Sequence, residues 1–272
     1  MSKVWFITGT SRGLGRAFAE AALERGDKVA ATARNVSAVD DLVTRYGDGA
    51  VLPLALDVTD KAAVTAAVGA AHEKFGRLDV VVNNAGYGLF GMVEEITEQQ
   101  LRDQMETNLF GAFWVTQAVL PILRAQGSGH IVQVSSVGGI TAFPSLSAYH
   151  ASKWALEGFS ESLAQEVAGQ GIMVTVVEPG GFSTDWAGSS AALTEPNPAY
   201  DQVREAIAAR FGDARRADPA DAASALLQIV DAENPPLRVL FGTEPIEIIE
   251  PVYAQRLQTW ADWEHVSRVA QG

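Results

Sequence analysis

The chain has 272 residues, 47% hydrophobic and 19% charged, which predicts a packed globular core and excludes wholesale disorder. A formal charge of −13 argues against nonspecific nucleic-acid binding and against docking to an anionic membrane surface. The absence of cysteine excludes disulfides and thiolate metal sites; with no signal peptide read at MSKVWFITGT, a cytoplasmic location is expected.

In chain order, short Val- and Ile-rich runs alternate with longer helical patterns. The runs are VWFIT (4–8), KVAATA (28–33), AVLPLAL (50–56), LDVVVN (78–83), HIVQVS (130–135), IMVTVVE (172–178) and LRVLF (237–241). They lack polar alternation, as strands buried on both faces do. Helices are predicted at 13–26, 60–76, near 98–125 with Thr97 as N-cap, and at 149–169. Repeated strand–helix–strand order predicts an α/β fold: a single Rossmann-like, doubly wound parallel sheet of about seven strands with helices on both faces. One domain is expected over 1–272. The irregular Gly/Ser/Pro-rich stretch after the sixth strand predicts a mobile substrate-binding lid over 181–215. A C-terminal extension (244–272) carries Pro245 and Pro251, then an amphipathic helix. Its Trp260 and Trp263 are expected to pack against the body or a subunit.

Two segments carry chemistry. The first strand runs into TGTSRGLG (8–15), where Gly9, Gly13 and Gly15 precede a helix. Glycines there permit a tight turn and close approach of a pyrophosphate, and the helix N-terminus attracts it. The second strand ends at Ala33, where an acid would hold the ribose diol of NAD. Arg34 follows, and Arg12 lies in the turn. Two guanidiniums favour a 2′-phosphate, so NADP(H) is expected over NAD(H). The second segment is SAYHASKWALEG (147–158), where Tyr149 and Lys153 share one helix face. A free phenol has a pKa of about 10, and a nearby ammonium is expected to lower it toward working pH. The histidines His72, His130, His150 and His265 show no ligand spacing and are read as surface or structural; no metal is expected.

TGTSRGLG, NNAG (83–86), Asn108, Ser136, YHASK (149–153) and PGGFST (179–184), in this order and spacing, resemble the short-chain dehydrogenase/reductase family over about residues 3–242. The resemblance implies that Tyr149 is the general acid or base, Lys153 holds the nicotinamide ribose, and Ser136 bonds the substrate oxygen. Ser135 is its rival. The backbone of Asn108 would anchor a water in the proton relay. For the cofactor it implies Gly9, Ser11, Arg12, Gly13, Leu14, Gly15, Arg34, Asp57, Val58, Asn84, Ala85, Gly86, Tyr149, Lys153, Pro179, Gly180, Phe182 and Thr184. Asp57 and Val58 would meet the adenine, Asn84 the adenosine ribose, and Phe182 and Thr184 the nicotinamide carboxamide. Asn83 is read as structural. Asp185 and Glu178 receive no role.

Tyr87, Phe90, Phe143, Phe182 and Trp186 flank these motifs, and an apolar, aromatic pocket is expected if they face the cleft. The resulting expectation is an NADP(H)-dependent carbonyl reductase or alcohol dehydrogenase acting on a hydrophobic ketone or aldehyde. The alternative is a nicotinamide-binding regulator of the same fold with little turnover. The family further implies a homodimer or homotetramer assembled through the long helices at about 98–125 and 149–169.

Overall fold

The computed structural model describes residues 2–211 and 216–271. The first half of the chain forms β1 (Val4–Ile7), α1 (Gly13–Glu24), β2 (Lys28–Ala33), α2 (Asp40–Tyr46), β3 (Val51–Ala55), α3 (Lys61–Phe75), β4 (Val80–Asn83), β5 (Leu89–Phe90) and α4 (Glu98–Met105). The second half forms α5 (Gly111–Gln126), β6 (Gly129–Val134), α6 (Ser147–Val167), β7 (Ile172–Pro179), β8 (Ala192–Leu193), α7 (Asp201–Phe211), α8 (Pro219–Asp231), β9 (Arg238–Phe241), α9 (Glu244–Asp262) and α10 (Glu264–Gln271). Seven strands make one parallel sheet in the order β3-β2-β1-β4-β6-β7-β9.

The apolar runs follow from burial on both faces. Trp5 and Ile7 of β1 enter a core with Phe18 of α1 and Leu226 of α8. Val4 and Phe6 enter the opposite core, with Val64 of α3, Val115 of α5 and Leu163 of α6. Every residue of β1 is therefore apolar, with no solvent face to mark a period of two. The winding reverses at β1, which pairs with β2 on one side and β4 on the other. In such a sheet the carboxyl ends of the strands at the reversal are where a ligand crevice forms.

Two expectations need correction. The helix near 98–125 is interrupted: α4 ends at Met105, Glu106–Phe110 are π-helical, and α5 resumes at Gly111. Thr97 does cap it, in a reciprocal box with Gln100. At the C-terminus the helix starts before Pro251, not after it. Pro245 sits in its first turn, where no amide donor is required, and Pro251 lies inside. Trp260 and Trp263 remain 67% and 60% exposed, so they do not pack against the body of this chain. The root of α9 is held near Gly180 by Pro245, and Arg256 stands over the Trp154 ring at 4.9 Å and donates to the Ile140 carbonyl.

Within 181–211, β8 pairs with β5 and α7 follows. Residues 212–215 at the end of the expected lid, and residues 1 and 272, lie outside the described residues. Among the described residues no helix is long and apolar enough to cross a membrane.

Candidate active site

The glycine turn and the segment after β4 are stapled together. The Thr8 hydroxyl accepts from the amides of Asn84 and Ala85, both at 2.9 Å, and Asn84 Nδ2 donates to the carbonyls of Thr8 at 2.9 Å and Gly9 at 3.1 Å. Gly9 and Gly13 have φ of 72° and 62°, the left-handed region that glycine enters without strain. A Cβ on Gly15 would lie 2.3 Å from Asn84 Nδ2 and 2.4 Å from the Gly9 carbonyl. No side chain caps the N-terminus of α1, and its first turn holds no acid. Its amides and dipole are thus offered to an anion. This cradle and its uncapped helix fit the pyrophosphate of a dinucleotide.

The two arginines differ. Arg34, exposed at the end of β2, makes no hydrogen bond or ion pair among the described residues. Arg12 is engaged: its Nη1 donates to Asp185 at 2.8 Å and to Ser189 Oγ at 3.2 Å. Ser11 and Asp57 are exposed, Leu14 is half-buried, and Val58 is buried beneath Gly111. A cleft of about 780 Å³ runs between Arg12, Gly13 and Arg16 on one side and Thr184, Asp185 and Arg216 on the other; Tyr149 is not in its walls.

Tyr149 and Lys153 occupy the first two turns of α6, each only 5% exposed. Burial pushes the phenol up to about 12, opposed by a hydrogen bond with Ser136. Ser136 Oγ also accepts from the Gly138 amide at 3.0 Å, which fixes the turn after β6. Ser135 is buried on the other side, where a Cβ on Gly139 would meet its Oγ and the Glu157 carboxylate. Lys153 Nζ donates to the Val134 carbonyl at 2.7 Å. Burial pulls Lys153 down to about 8, and Glu157 one turn later opposes the fall. The expected depression of the Tyr149 pKa by Lys153 is therefore not what the protein alone shows. The ammonium lies 5.9 Å from the ring centroid and is turned to Val134, and burial dominates.

Asn108 sits in the π-helical turn, buried. Its Nδ2 donates to the Tyr87 carbonyl at 3.0 Å and to Ser152 Oγ at 3.1 Å, and its Oδ1 accepts from the Tyr87 amide at 3.1 Å. A Cβ on Gly86 would lie 3.0 Å from Asn108 Oδ1 and 3.7 Å from Lys153 Nζ, so these three residues converge. Asn83 is tied to Thr116 in the interior at 3.1 Å.

The aromatics divide. Trp186 meets Tyr149 edge to face at 5.0 Å and Phe90 at 5.2 Å, over Gly88, where a Cβ would come 2.6 Å from the indole. Phe143 stands 5.6 Å from His150. Tyr87 is half-buried, its backbone gripped by Asn108. Phe182, expected near the cleft, instead joins the core that holds Ala222 and Phe241, because its backbone bridges to Ala217 and draws the ring inward. Pro179 is buried at the end of β7, Gly180 abuts Pro245, and Thr184 lies 3.6 Å from a Cβ built on Gly13.

Sequence reasoning passed over Gln104, read His150 only as surface or structural, and gave Asp185 no role. Gln104 is fully buried, accepting from the Leu89 amide and donating to the Tyr87 carbonyl, both at 2.9 Å. Its place one helical turn before Asn108 was the available signal. His150 accepts from the Phe143 amide through Nε2 at 2.9 Å. Its Nδ1 must then donate to the Gly138 carbonyl at 2.8 Å, so the ring is neutral and ties down the loop after Ser136. Burial lowers its pKa accordingly. Asp185, given no role from sequence, is the partner of Arg12. Among the described residues no cluster of acids and histidines could hold a metal ion.

The family model described as short chain dehydrogenase matches residues 3–194. An oxidoreductase from Botryotinia fuckeliana is 50% identical over 250 residues, 91% of each chain. A solved short-chain dehydrogenase from Streptomyces avermitilis superposes with a TM-score of 0.93 at 42% identity, covering 99% of this chain and 98% of that one. At 27% identity and a TM-score of 0.76 stands a Burkholderia cenocepacia short chain dehydrogenase in complex with NADP, covering 96% and 97%. A Brucella melitensis 3-ketoacyl-(acyl-carrier-protein) reductase complexed with NADH scores 0.76 at 26% identity, covering 88% and 96%.

Proposed function

The chain belongs to the short-chain dehydrogenase family of oxidoreductases, and from that premise we propose that it is an NADP(H)-dependent reductase of hydrophobic ketones or aldehydes. The observation that carries the reaction class is the convergence of Ser136, Tyr149 and Lys153 at the carboxyl end of the sheet, beside the crevice behind the glycine turn.

The nicotinamide, when bound, supplies or accepts the hydride. Everything else falls to the chain. The glycine turn and the N-terminus of α1 would hold the pyrophosphate, Arg34 and Arg12 the 2′-phosphate, and Asp57 and Val58 the adenine side. Asn84, Ala85 and Gly86 would line the ribose path, Lys153 would hold the nicotinamide ribose, and Pro179, Gly180 and Thr184 would border the nicotinamide. Ser136 and Tyr149 present two hydroxyls to one carbonyl oxygen, stabilising its developing charge. Tyr149 then donates its proton to that oxygen. The π-helical turn around Asn108 would present its main chain to a water that returns the proton. Trp186, Phe90 and Phe143 make an apolar substrate wall, under a lid formed by the segment from residue 181.

The preference for NADP(H) rests on Arg34, exposed and with no hydrogen bond or ion pair among the described residues, where an acid would favour NAD. The test is nicotinamide oxidation with a panel of apolar ketones and aldehydes, with Tyr149→Phe as control. The variant should lose about 10²–10⁴-fold in kcat while nucleotide affinity is kept. Nucleotide binding with no turnover of any panel member would favour a regulator instead, and full activity in the Phe variant would remove Tyr149 as the acid.

A further inference from the structure

Asp185 belongs to no part of the reaction described above, yet it is built into a defined turn. Its backbone carbonyl accepts from the amides of Gly188 at 3.0 Å and Ser190 at 3.3 Å. Its Oδ1 accepts from the Ser189 amide at 3.0 Å, and its Oδ2 accepts from the hydroxyls of Ser189 and Ser190. These bonds, Ser189 foremost, hold the carboxyl below its ordinary pKa and keep it ionised. The turn aims the carboxylate at one cation. Arg12 Nη1 lies 2.8 Å away, across 173 positions of sequence.

Arg12 is one of two guanidiniums placed to recognise a 2′-phosphate; the other, Arg34, has no carboxylate partner among the described residues. Asp185 already offsets the charge of one of them. Its bond takes Nη1 of Arg12, so a dianionic phosphate meets a guanidinium whose charge is partly neutralised and whose donors are partly engaged. We propose that Asp185 is a specificity-determining residue for the cofactor: it competes with the 2′-phosphate for Arg12 and so tempers the discrimination between NADP(H) and NAD(H). This rests on the reading that Arg12 and Arg34 face that phosphate.

The position of Asp185 gives the competition a second consequence. The next residue, Trp186, lays its indole against Tyr149. Any cofactor that draws Arg12 from Asp185 loosens the turn that carries Trp186 over the acid. By reciprocity, whatever holds the turn in place weakens the phosphorylated cofactor by the same factor.

The test is calorimetric affinity for NADP⁺ and NAD⁺ in the wild type, Asp185→Asn, Arg12→Gln and the double variant. Asn keeps the acceptor for Ser189, and Asp185 lies at the surface, so the fold is expected to persist; thermal unfolding checks this. An exposed ion pair of this kind corresponds to about a two- to five-fold change. Asp185→Asn should therefore tighten NADP⁺ by about two- to five-fold with NAD⁺ unchanged, and the gain should vanish in the Arg12→Gln background. An equal change for both cofactors, no change, or a gain that persists without Arg12 would overturn the proposal. The last would mean direct repulsion in place of competition. The wild-type ratio separately tests the cofactor reading. A wild type that favours NAD⁺ would sink that reading, while the shift on Asp185→Asn still decides the competition.

Discussion

Replacing Glu178 by Gln should remove a pH dependence from the stability of the fold. Glu178 lies near the end of β7, 2% exposed. The cation facing it is Arg238, whose Nε is 3.6 Å away and which also serves Glu157 at 3.1 Å and Glu161 at 2.8 Å. Burial first, then the Glu157 carboxylate, push Glu178 up from 4.5 to about 7, with Arg238 only partly opposing. The fold therefore keeps a proton that the unfolded chain releases. The associated stability is complete below about 4.5 and is lost as pH rises through about 7. At about 1.4 kcal/mol per unit this is at most about 3 kcal/mol. Arg238 is one-third exposed and lets solvent screen the cluster, so about 1–3 kcal/mol is expected.

The wild-type curve alone will not show this loss. His130, pushed down by burial from 6.5 to about 4, contributes the opposite slope across much of the same range. The difference between variant and wild type cancels His130. Urea unfolding should find the difference between Glu178→Gln and wild type shifted in favour of the variant by about 1–3 kcal/mol between about pH 4 and pH 8. A difference that stays constant across that range would refute the assignment of a proton to Glu178.

Three further outcomes are expected. Gly15→Ala should destabilise by about 2–4 kcal/mol and weaken nucleotide binding, because its Cβ would displace Asn84 from the carbonyls of Thr8 and Gly9; chemical denaturation and calorimetry read both effects. Gln104→Leu should cost about 1–3 kcal/mol by orphaning the Leu89 amide and Tyr87 carbonyl, with faster hydrogen exchange at Leu89. Arg34→Asp should weaken NADP⁺ by about tenfold or more and leave NAD⁺ at least as tight, measured as dissociation constants.

What the sequence revealed was whatever is local. The seven strands showed as apolar runs because both faces of the sheet are covered, and Thr97 showed as a cap because its partner Gln100 stands three positions on. The glycine turn and the Tyr149–Lys153 pair are each contained within one turn of chain. The contacts that escaped notice join distant segments. Arg12 meets Asp185, Arg204 meets Glu95 across 109 positions, and Arg238 meets Glu157 across 81. Charge type alone cannot assign such pairs. The placement of the Phe182 ring belongs with these. Its motif lies beside the cleft, but the backbone bridges to Ala217 and the ring joins the core, and no spacing rule encodes that. The π-turn was hidden because Glu106–Phe110 has ordinary helical composition. What accompanies the turn is the buried Asn108 amide, bonded to both backbone groups of Tyr87.

The same burial that makes the site legible sets its resting chemistry. Burial raises Tyr149 and lowers Lys153, so the protein by itself keeps the phenol protonated at neutral pH. A protonated phenol is the form that donates to a carbonyl oxygen as hydride arrives; the oxidative direction needs the phenolate. Further positive charge brought near the ring would lower the phenol toward the value a base requires. The nicotinamide ring is cationic when oxidised and neutral when reduced, so the cofactor form that calls for a base also brings that charge. Lys153 is then not the main source of the Tyr149 shift, and the ribose-holding role proposed above does not require it to be. Its bond to Val134 and its distance from the phenol ring fit that role. The helix spacing that drew attention to the pair expresses shared placement on α6 more than direct electrostatic tuning.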